Sequence, residues 1–351
     1  MVVNLCNALV DEGCETHLCT TRRGGPLEKF LDPRVRYLAL QRSRTLDMFA
    51  LLRLRKYIRK HEIQIVHAHS SSYFVAILIR FLTRIRVVWH DHYGDSEHLT
   101  KRPTAVLRIF SQFFDAVVVV NELLLKWAEK HLCVDKAHIT YLPNFPELRV
   151  SVVPPALHLP GKMNNRIVCT ARLHPQKDHP NLLYAFSLVR KQYPDAHLLL
   201  VGEEHDDLYS MQLRCIITEH SLENNVHLLG GRSDVAEILS QCIIGVLSSN
   251  SEGLPVSLLE YGLAGLGVVC TDVGACSDVL RQGKFGELVE RRNPEALANG
   301  ILRQLRNNER RESIALQLQN HVNTNYSRKS VAKQLTTIYD KLCLETLSDG
   351  K

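Results

Sequence analysis

The chain has 351 residues, 45% of them apolar, and a formal charge of +6, enough for two domains with separate cores. Ten cysteines without a C-x-x-C pair or metal-like spacing read as reduced, mostly buried thiols rather than disulfides or zinc ligands. No apolar run approaches the roughly 18 residues that span a bilayer, and Met1–Leu18 lacks the basic start of a signal peptide, so the expected location is cytoplasmic.

Met1–Glu12 reads as an amphipathic helix stopped by Gly13, with a strand at Thr16–Thr20 directly after it. Further strands at Val35–Leu40, Ile63–Ala68, Ile85–Trp89 and Ala116–Val120 alternate with helices near Leu46–Lys60, Tyr73–Leu82, Ala105–Phe113 and Leu123–His131. This alternation predicts a parallel sheet covered on both faces.

Residues 1–150 hold 22 Lys and Arg against 15 Asp and Glu, and the remainder 21 against 22, so the first half is the basic half. Arg53, Arg55, Lys56, Arg59 and Lys60 share one predicted helix with Leu51, Leu52, Leu54 and Ile58. Such a helix suits peripheral contact with an anionic membrane surface; an ordinary solvated helix face is the alternative. No nucleic-acid motif or aromatic platform accompanies the charge, so nucleic acid is not an expected partner.

Histidines cluster at two predicted strand ends, His67 with His69, and His90 with His92 around Asp91. The second group invites a metal reading, but no third ligand is indicated, and the expectation is no metal and no cofactor. The last strand of the first domain, His138–Leu142, ends at Pro143-Asn144, and the proline-containing, aperiodic stretch that follows reads as a linker. Expected boundaries are thus a first domain at 1–146, a linker at 147–162, a second domain at 163–325 and a C-terminal segment at 326–351.

The second domain opens with a strand at Arg166–Thr170 that leads to Arg172 and Lys177 at the mouth of a helix. Two cations beside a helix N-terminus are what a diphosphate leaving group requires. Strand, helix and strand repeat at His197–Val201, Asp207–His220 and Val226–Leu229, and Gly230-Gly231 ends the last. A helix near Val235–Ser240 and a strand at Ile243–Leu247 lead into Ser248–Asp278, which carries Glu252 and Glu260, eight residues apart.

Gly253, Leu254 and Pro255 follow Glu252 directly, and Pro255 suits the first turn of a helix, which puts Glu252 on the loop before it and Glu260 within its first two turns. A strand at Gly267–Cys270 and Thr271-Asp272-Val273-Gly274 follow, the glycine allowing close approach of the backbone to a ligand. Two carboxylates at the ends of adjacent strands sit where open α/β sheets bind ligands, and they can accept hydrogen bonds from sugar or ribose hydroxyls.

The pattern S-x-x-E-G-x-P-x-x-x-L-E followed by G-x-x-V-V-x-T-D-V-G, with Ala171-Arg172-Leu173-His174-Pro175-Gln176-Lys177, Leu229-Gly230, Val66-His67-Ala68-His69 and Pro143-Asn144, resembles the retaining GT-B glycosyltransferases of the large family 4. The resemblance spans most of the chain. It implies an α/β GT-B fold, two Rossmann-like domains facing a cleft, with the final helix crossing back onto the first domain. It also implies transfer of a sugar from a nucleotide diphosphate sugar to an acceptor hydroxyl, with a lipid-linked glycan of surface polysaccharide or glycolipid assembly as the acceptor class.

By the same resemblance Glu260 holds the ribose, Arg172 and Lys177 the diphosphate, and Glu252 the sugar hydroxyls. Gly253, Leu254 and Pro255 line that segment, the turn at Gly230 and Gly231 lies beside the nucleobase, and Asn144 belongs to the matched set. His92, with His90 as the alternative, contacts the sugar or phosphate from the first domain, with a protonation expected to vary near neutral pH; His67 and His69 support the wall.

Family members carry a strand and glycine-rich loop ahead of the first helix. Their absence suggests a misplaced start or a fragment, and motivates a rival reading as a non-catalytic nucleotide-sugar-binding or scaffolding subunit. A GT-B-fold nucleotide-sugar epimerase is a second, weaker rival. Three departures bear on the donor pocket: Tyr261-Gly262 where Ala-Met is commoner, Gly267 where proline is usual, and Ala275 in place of a second glycine.

Overall fold

Short runs of branched apolar residues, bounded by turns, build three parallel sheets. The computed structural model describes residues 1–348 apart from 23, 45, 149–156 and 205–206. Pro154 and Pro155 of the expected linker lie outside these residues. The chain divides into two units, Met1–Phe145 with Arg328–Lys351, and Pro146–Ser327.

In the first unit α1 (Val2–Asp11) is followed by β1 (His17–Thr20), β2 (Arg36–Ala39), α2 (Met48–Lys60), β3 (Ile65–His69), α3 (Tyr73–Arg80), β4 (Arg86–Asp91), α4 (Ala105–Ser111), β5 (Ala116–Val119), α5 (Glu122–His131) and β6 (Ile139–Tyr141). Asp47 and Asn121 cap α2 and α5 by accepting from the backbone N–H groups of Ala50 and Leu124. The strands form two separate parallel pieces, β1-β2 and β3-β4-β5-β6. Val88, Ala116 and Val118 of the larger piece share a buried cluster with Leu5, Ala8 and Leu9 of α1 and with Val331, Ala332 and Leu335. The last three belong to the C-terminal helix Arg328–Ser348, which is part of this unit.

The second unit contains β7 (Arg166–Thr170), α6 (His179–Gln192), β8 (His197–Val201), α7 (Leu208–Glu219), β9 (Val226–Leu228), α8 (Val235–Leu239), β10 (Ile244–Leu247), α9 (Val256–Leu263), β11 (Gly267–Thr271), α10 (Cys276–Val279), β12 (Glu287–Val289), α11 (Pro294–Arg306) and α12 (Asn308–Asn325). All six strands pair in parallel in the order β12-β11-β10-β7-β8-β9. Every residue of β10 and β11 is buried, as expected for strands with helices on both faces. The strand order reverses between β7 and β10, which places a topological switch point, the usual ligand crevice of such sheets, just beyond their carboxyl ends.

The family departures have packing partners. The Tyr261 ring lies over Gly245, where an added Cβ would come within 2.4 Å of it. The Tyr261 hydroxyl accepts from the Thr170 N–H at 2.6 Å and joins the Thr170 hydroxyl at 2.9 Å, so one side chain ties β7 to α9 across β10. Gly262 packs against Val322 and Leu318 of α12, and Gly267 against Arg311 and Gln304. These positions are small because α11 and α12 press against them.

Candidate active site

In the second unit the loops after β7 and β10 meet at the switch point. The Lys177 ammonium, at the end of the single turn Pro175–Lys177, lies 2.5 Å from Glu252 Oε1. The Ser249 hydroxyl donates to the same oxygen at 2.6 Å. Glu252 is buried, at 5% exposure, yet Oε2 makes no hydrogen bond with the described residues, so one carboxylate oxygen is held and the other remains able to accept. Lys177 has spent one of three donors.

Backbone and side-chain contacts fix this arrangement. The Asn250 N–H donates to Gln176 O at 2.8 Å, Gln176 Nε2 to Ser251 O at 2.8 Å, and the Ser248 hydroxyl to Lys177 O at 2.8 Å. Thr271 at the end of β11 donates to Ser249 O at 2.7 Å. Beyond β12, Arg291 and Arg292 donate to Asn250 O and Oδ1 at 3.0 and 2.9 Å. Ser249 and Gln176 stand in the matched motifs without an assigned role, and Asn250 and the two arginines are not marked by any local pattern, Arg291 and Arg292 lying over 30 residues from Glu252.

Gly274 has a positive φ of 55°, and a Cβ there would fall 2.2 Å from Glu252 O and 2.6 Å from Gly253 O. The close approach expected at this glycine is therefore made to the Glu252 loop itself. The Ala275 N–H completes it by donating to Gly253 O at 2.9 Å. Leu254 is buried, and Pro255 stands at the N-cap of α9 rather than inside its first turn.

Arg172 is exposed and makes no ion pair or hydrogen bond with the described residues. Glu260, in the second turn of α9, is half-buried, and its carboxylate makes no ion pair or hydrogen bond with the described residues; burial pushes it up to about 7. Gly230 has a φ of 66°, accepts from the Gly202 N–H at 3.0 Å, and with Gly231 forms the turn after β9 beside Glu203.

In the first unit the pairing of β3 with β4 sets His69 opposite His90. His67 and His90 stack with ring centroids 5.1 Å apart, and His90 and His92 with centroids 4.0 Å apart. Asp91 does not join them: Arg102 clamps its carboxylate at 2.6 and 3.0 Å while lying over the Trp127 and Tyr93 rings. Burial lowers His92 to about 4, so its ring is neutral near pH 7 and the expected titration there is corrected. The expectation that no third ligand accompanies His90 and His92 also changes, because strand pairing adds His67 and His69. Asn144 lies buried in this unit.

Two family descriptions match the chain, Glycosyltransferase Family 4 over residues 1–149 and Glycosyl transferases group 1 over residues 157–320. The chain belongs to the GT-B glycosyltransferases of family 4, group 1. It is 28% identical over 313 residues to an Escherichia coli UDP-Gal:alpha-D-GlcNAc-diphosphoundecaprenol alpha-1,3-galactosyltransferase, covering 80% of this chain and 78% of the relative. A Campylobacter jejuni N,N'-diacetylbacillosaminyl-diphospho-undecaprenol alpha-1,3-N-acetylgalactosaminyltransferase is 32% identical over 120 residues, 34% of this chain and 31% of that protein. Among solved structures, Anabaena HepE in complex with UDP-glucose superposes with a TM-score of 0.80 at 18% identity, covering 97% of this chain and 95% of that one. This glycosyltransferase has two Rossmann-like α/β units, and no helix among its described residues is long and apolar enough to cross a membrane.

Proposed function

We propose that this glycosyltransferase moves a hexose, with retention, from a uridine diphosphate sugar to a hydroxyl of a lipid-linked diphosphate glycan, in surface polysaccharide or glycolipid assembly. The observation that carries the reading is the half-engaged carboxylate of Glu252, with Oε1 held by Lys177 and Ser249 and Oε2 left to accept from a sugar hydroxyl. The remaining donors of Lys177 and the guanidinium of Arg172 suit the diphosphate, whose charge grows as the bond from C1 to the phosphate oxygen breaks. Glu260 accepts from the ribose, the turn at Gly230 and Gly231 takes the base, and His92 is the further donor contact.

In the proposed reaction the acceptor oxygen forms its bond to C1 on the face the phosphate leaves, and its proton passes to a phosphate oxygen. The configuration at C1 is thereby kept. The Escherichia coli and Campylobacter relatives, both named for diphosphoundecaprenol-linked acceptors, support a diphosphate-lipid acceptor, and the Anabaena complex supports a uridine donor.

A lipid-linked acceptor fits the surface of α2. Met48, Phe49 and Leu52 are 57%, 78% and 50% exposed and adjoin exposed Arg53, Lys56, Arg59 and Lys60, the combination that holds an anionic bilayer.

The test is transfer from uridine, guanosine and adenosine diphosphate sugars to a diphosphoundecaprenol-linked sugar, with the product's anomeric configuration read by NMR. The expected product is α-linked from an α-linked uridine donor. An inverted product would overturn retention. Nucleotide binding without transfer would favour a binding subunit, and conversion of the donor alone an epimerase.

A further inference from the structure

We infer that the first unit holds one zinc-class divalent cation on His67, His69 and His90. One ring nitrogen from each lies within 4.8 Å of the others. The three come from neighbouring strands, His67 and His69 from one face of β3 and His90 from the position of β4 paired with His69, so a rigid parallel ladder sets their spacing. A tetrahedral ion with metal–nitrogen bonds of about 2.0–2.1 Å draws such atoms to roughly 3.4 Å from one another, a closure that side-chain rotation supplies.

Two further observations point to a ligand. His90 is 2% exposed, and neither of its ring nitrogens has a hydrogen-bond partner; His67 Nε2 is also buried without one. Buried polar atoms are nearly always paired, and coordination would pair one nitrogen of His90 together with His67 Nε2. Secondly, the outer nitrogens of His67 and His69 are already engaged: His67 Nδ1 with the Tyr339 hydroxyl at 2.5 Å, and His69 Nδ1 with His92 Nε2 at 2.9 Å. Ligating histidines are typically held in this way, the outer nitrogen fixing tautomer and ring angle.

The donor set selects the ion. Three imidazoles without a carboxylate suit zinc and its late first-row neighbours and offer nothing to magnesium or calcium. Asp91, next to His90 in sequence, is committed to Arg102. Failure of this assignment is distinguishable from failure of the donor reading, because its readout needs no sugar nucleotide even though His92, bonded to His69, is a proposed donor contact.

The experiment titrates tag-free, chelator-stripped protein with Co²⁺ alone, following visible d–d absorption and bound metal by elemental analysis. One equivalent is expected, with the intense absorption of a four- or five-coordinate cobalt site, displaced by one equivalent of Zn²⁺ and not by excess Mg²⁺. His69→Gln and His67→Gln should each lower cobalt affinity by at least about tenfold and alter the spectrum, with circular dichroism verifying the fold. His90→Gln provides a third readout if it folds. Substoichiometric, colourless binding by the parent protein, or unchanged binding in folded His67→Gln and His69→Gln, would overturn the assignment.

Discussion

Lys177 and Glu252, 75 residues apart in sequence, are joined at 2.5 Å because β7 and β10 are neighbours in the sheet. Neither member is free to move without unpairing the other. Glu252→Gln keeps the shape of the side chain and the bond from Ser249 but weakens the hold on Lys177. The expected result is at least about a hundredfold loss of transfer rate, of the size seen when a transition-state hydrogen bond is removed, with nucleotide affinity changed less than about threefold. Parallel rate measurements and calorimetric titration with uridine diphosphate check this; full activity would remove Glu252 from the role proposed.

Arg172→Ala separates binding from stability. Its side chain is exposed and makes no hydrogen bond or ion pair with described residues, so stability should change by less than about 0.5 kcal/mol. Loss of a charge-assisted bond to phosphate costs about 1.5–3 kcal/mol, a fall in nucleotide affinity of roughly 10- to 150-fold. A large drop in denaturation midpoint would show instead that Arg172 supports the fold.

Glu260 gives a pH dependence with a definite sign. Its carboxyl is raised from 4.5 to about 7 by burial, so the folded protein keeps a proton that the unfolded chain has released. Its contribution to stability is complete below pH 4.5, declines as pH rises to about 7, and is lost above. Glu260→Gln should therefore be more stable than the parent at pH 8, by up to about 3 kcal/mol, with the advantage shrinking toward pH 5. Urea denaturation at the two pH values measures it; an advantage independent of pH would show that the carboxyl is not raised.

Gly274→Ala should damage the site without touching a charged residue. The new methyl would meet Glu252 O at 2.2 Å on a backbone with φ of 55°, forcing the Glu252 loop outward. A stability loss of about 1–3 kcal/mol is expected, together with weaker donor binding. Unchanged donor affinity in thermal titrations would mean that the loop relaxes without moving the carboxylate.

The surface of α2 predicts salt-sensitive association with anionic vesicles. Phe49→Asp with Met48→Asp should reduce sedimentation with phosphatidylglycerol vesicles by at least about tenfold, given the value of buried apolar groups and roughly 1 kcal/mol for each basic residue near the surface. Binding to neutral vesicles should be weak throughout. Equal sedimentation of parent and variant would remove α2 as the contact.

Most strands and long helices were legible in the sequence because branched apolar runs and periodic faces are local signals. Arg166–Thr170 and His197–Val201 fall where the residues place them, and most other ends shift by one or two positions. The charged residues of the candidate site were legible as well, since Arg172, Lys177, Glu252 and Glu260 stand in motifs. What joins them was not. The convergence of Ser249, Asn250, Arg291 and Arg292 depends on strand order, which no local pattern encodes. His67, His69, His90 and His92 were each visible, but their stacking follows from the pairing of β3 with β4. Tyr261 looked like a departure in the pocket until Gly245 beneath it showed a compensating pair.

The separation of β1-β2 from β3-β4-β5-β6 has a dynamic consequence. Among the described residues no ladder hydrogen bonds join the two pieces, and the smaller one rests on a cluster of Cys6, Val10 and Val35 with Leu18, Leu31 and Val2, far less than covers β4 and β5. The pair can therefore open as a unit of its own while the larger sheet stays closed. In hydrogen–deuterium exchange the amides of Leu18, Cys19 and Leu38 should lose protection together, well before those of Val88 and Val118.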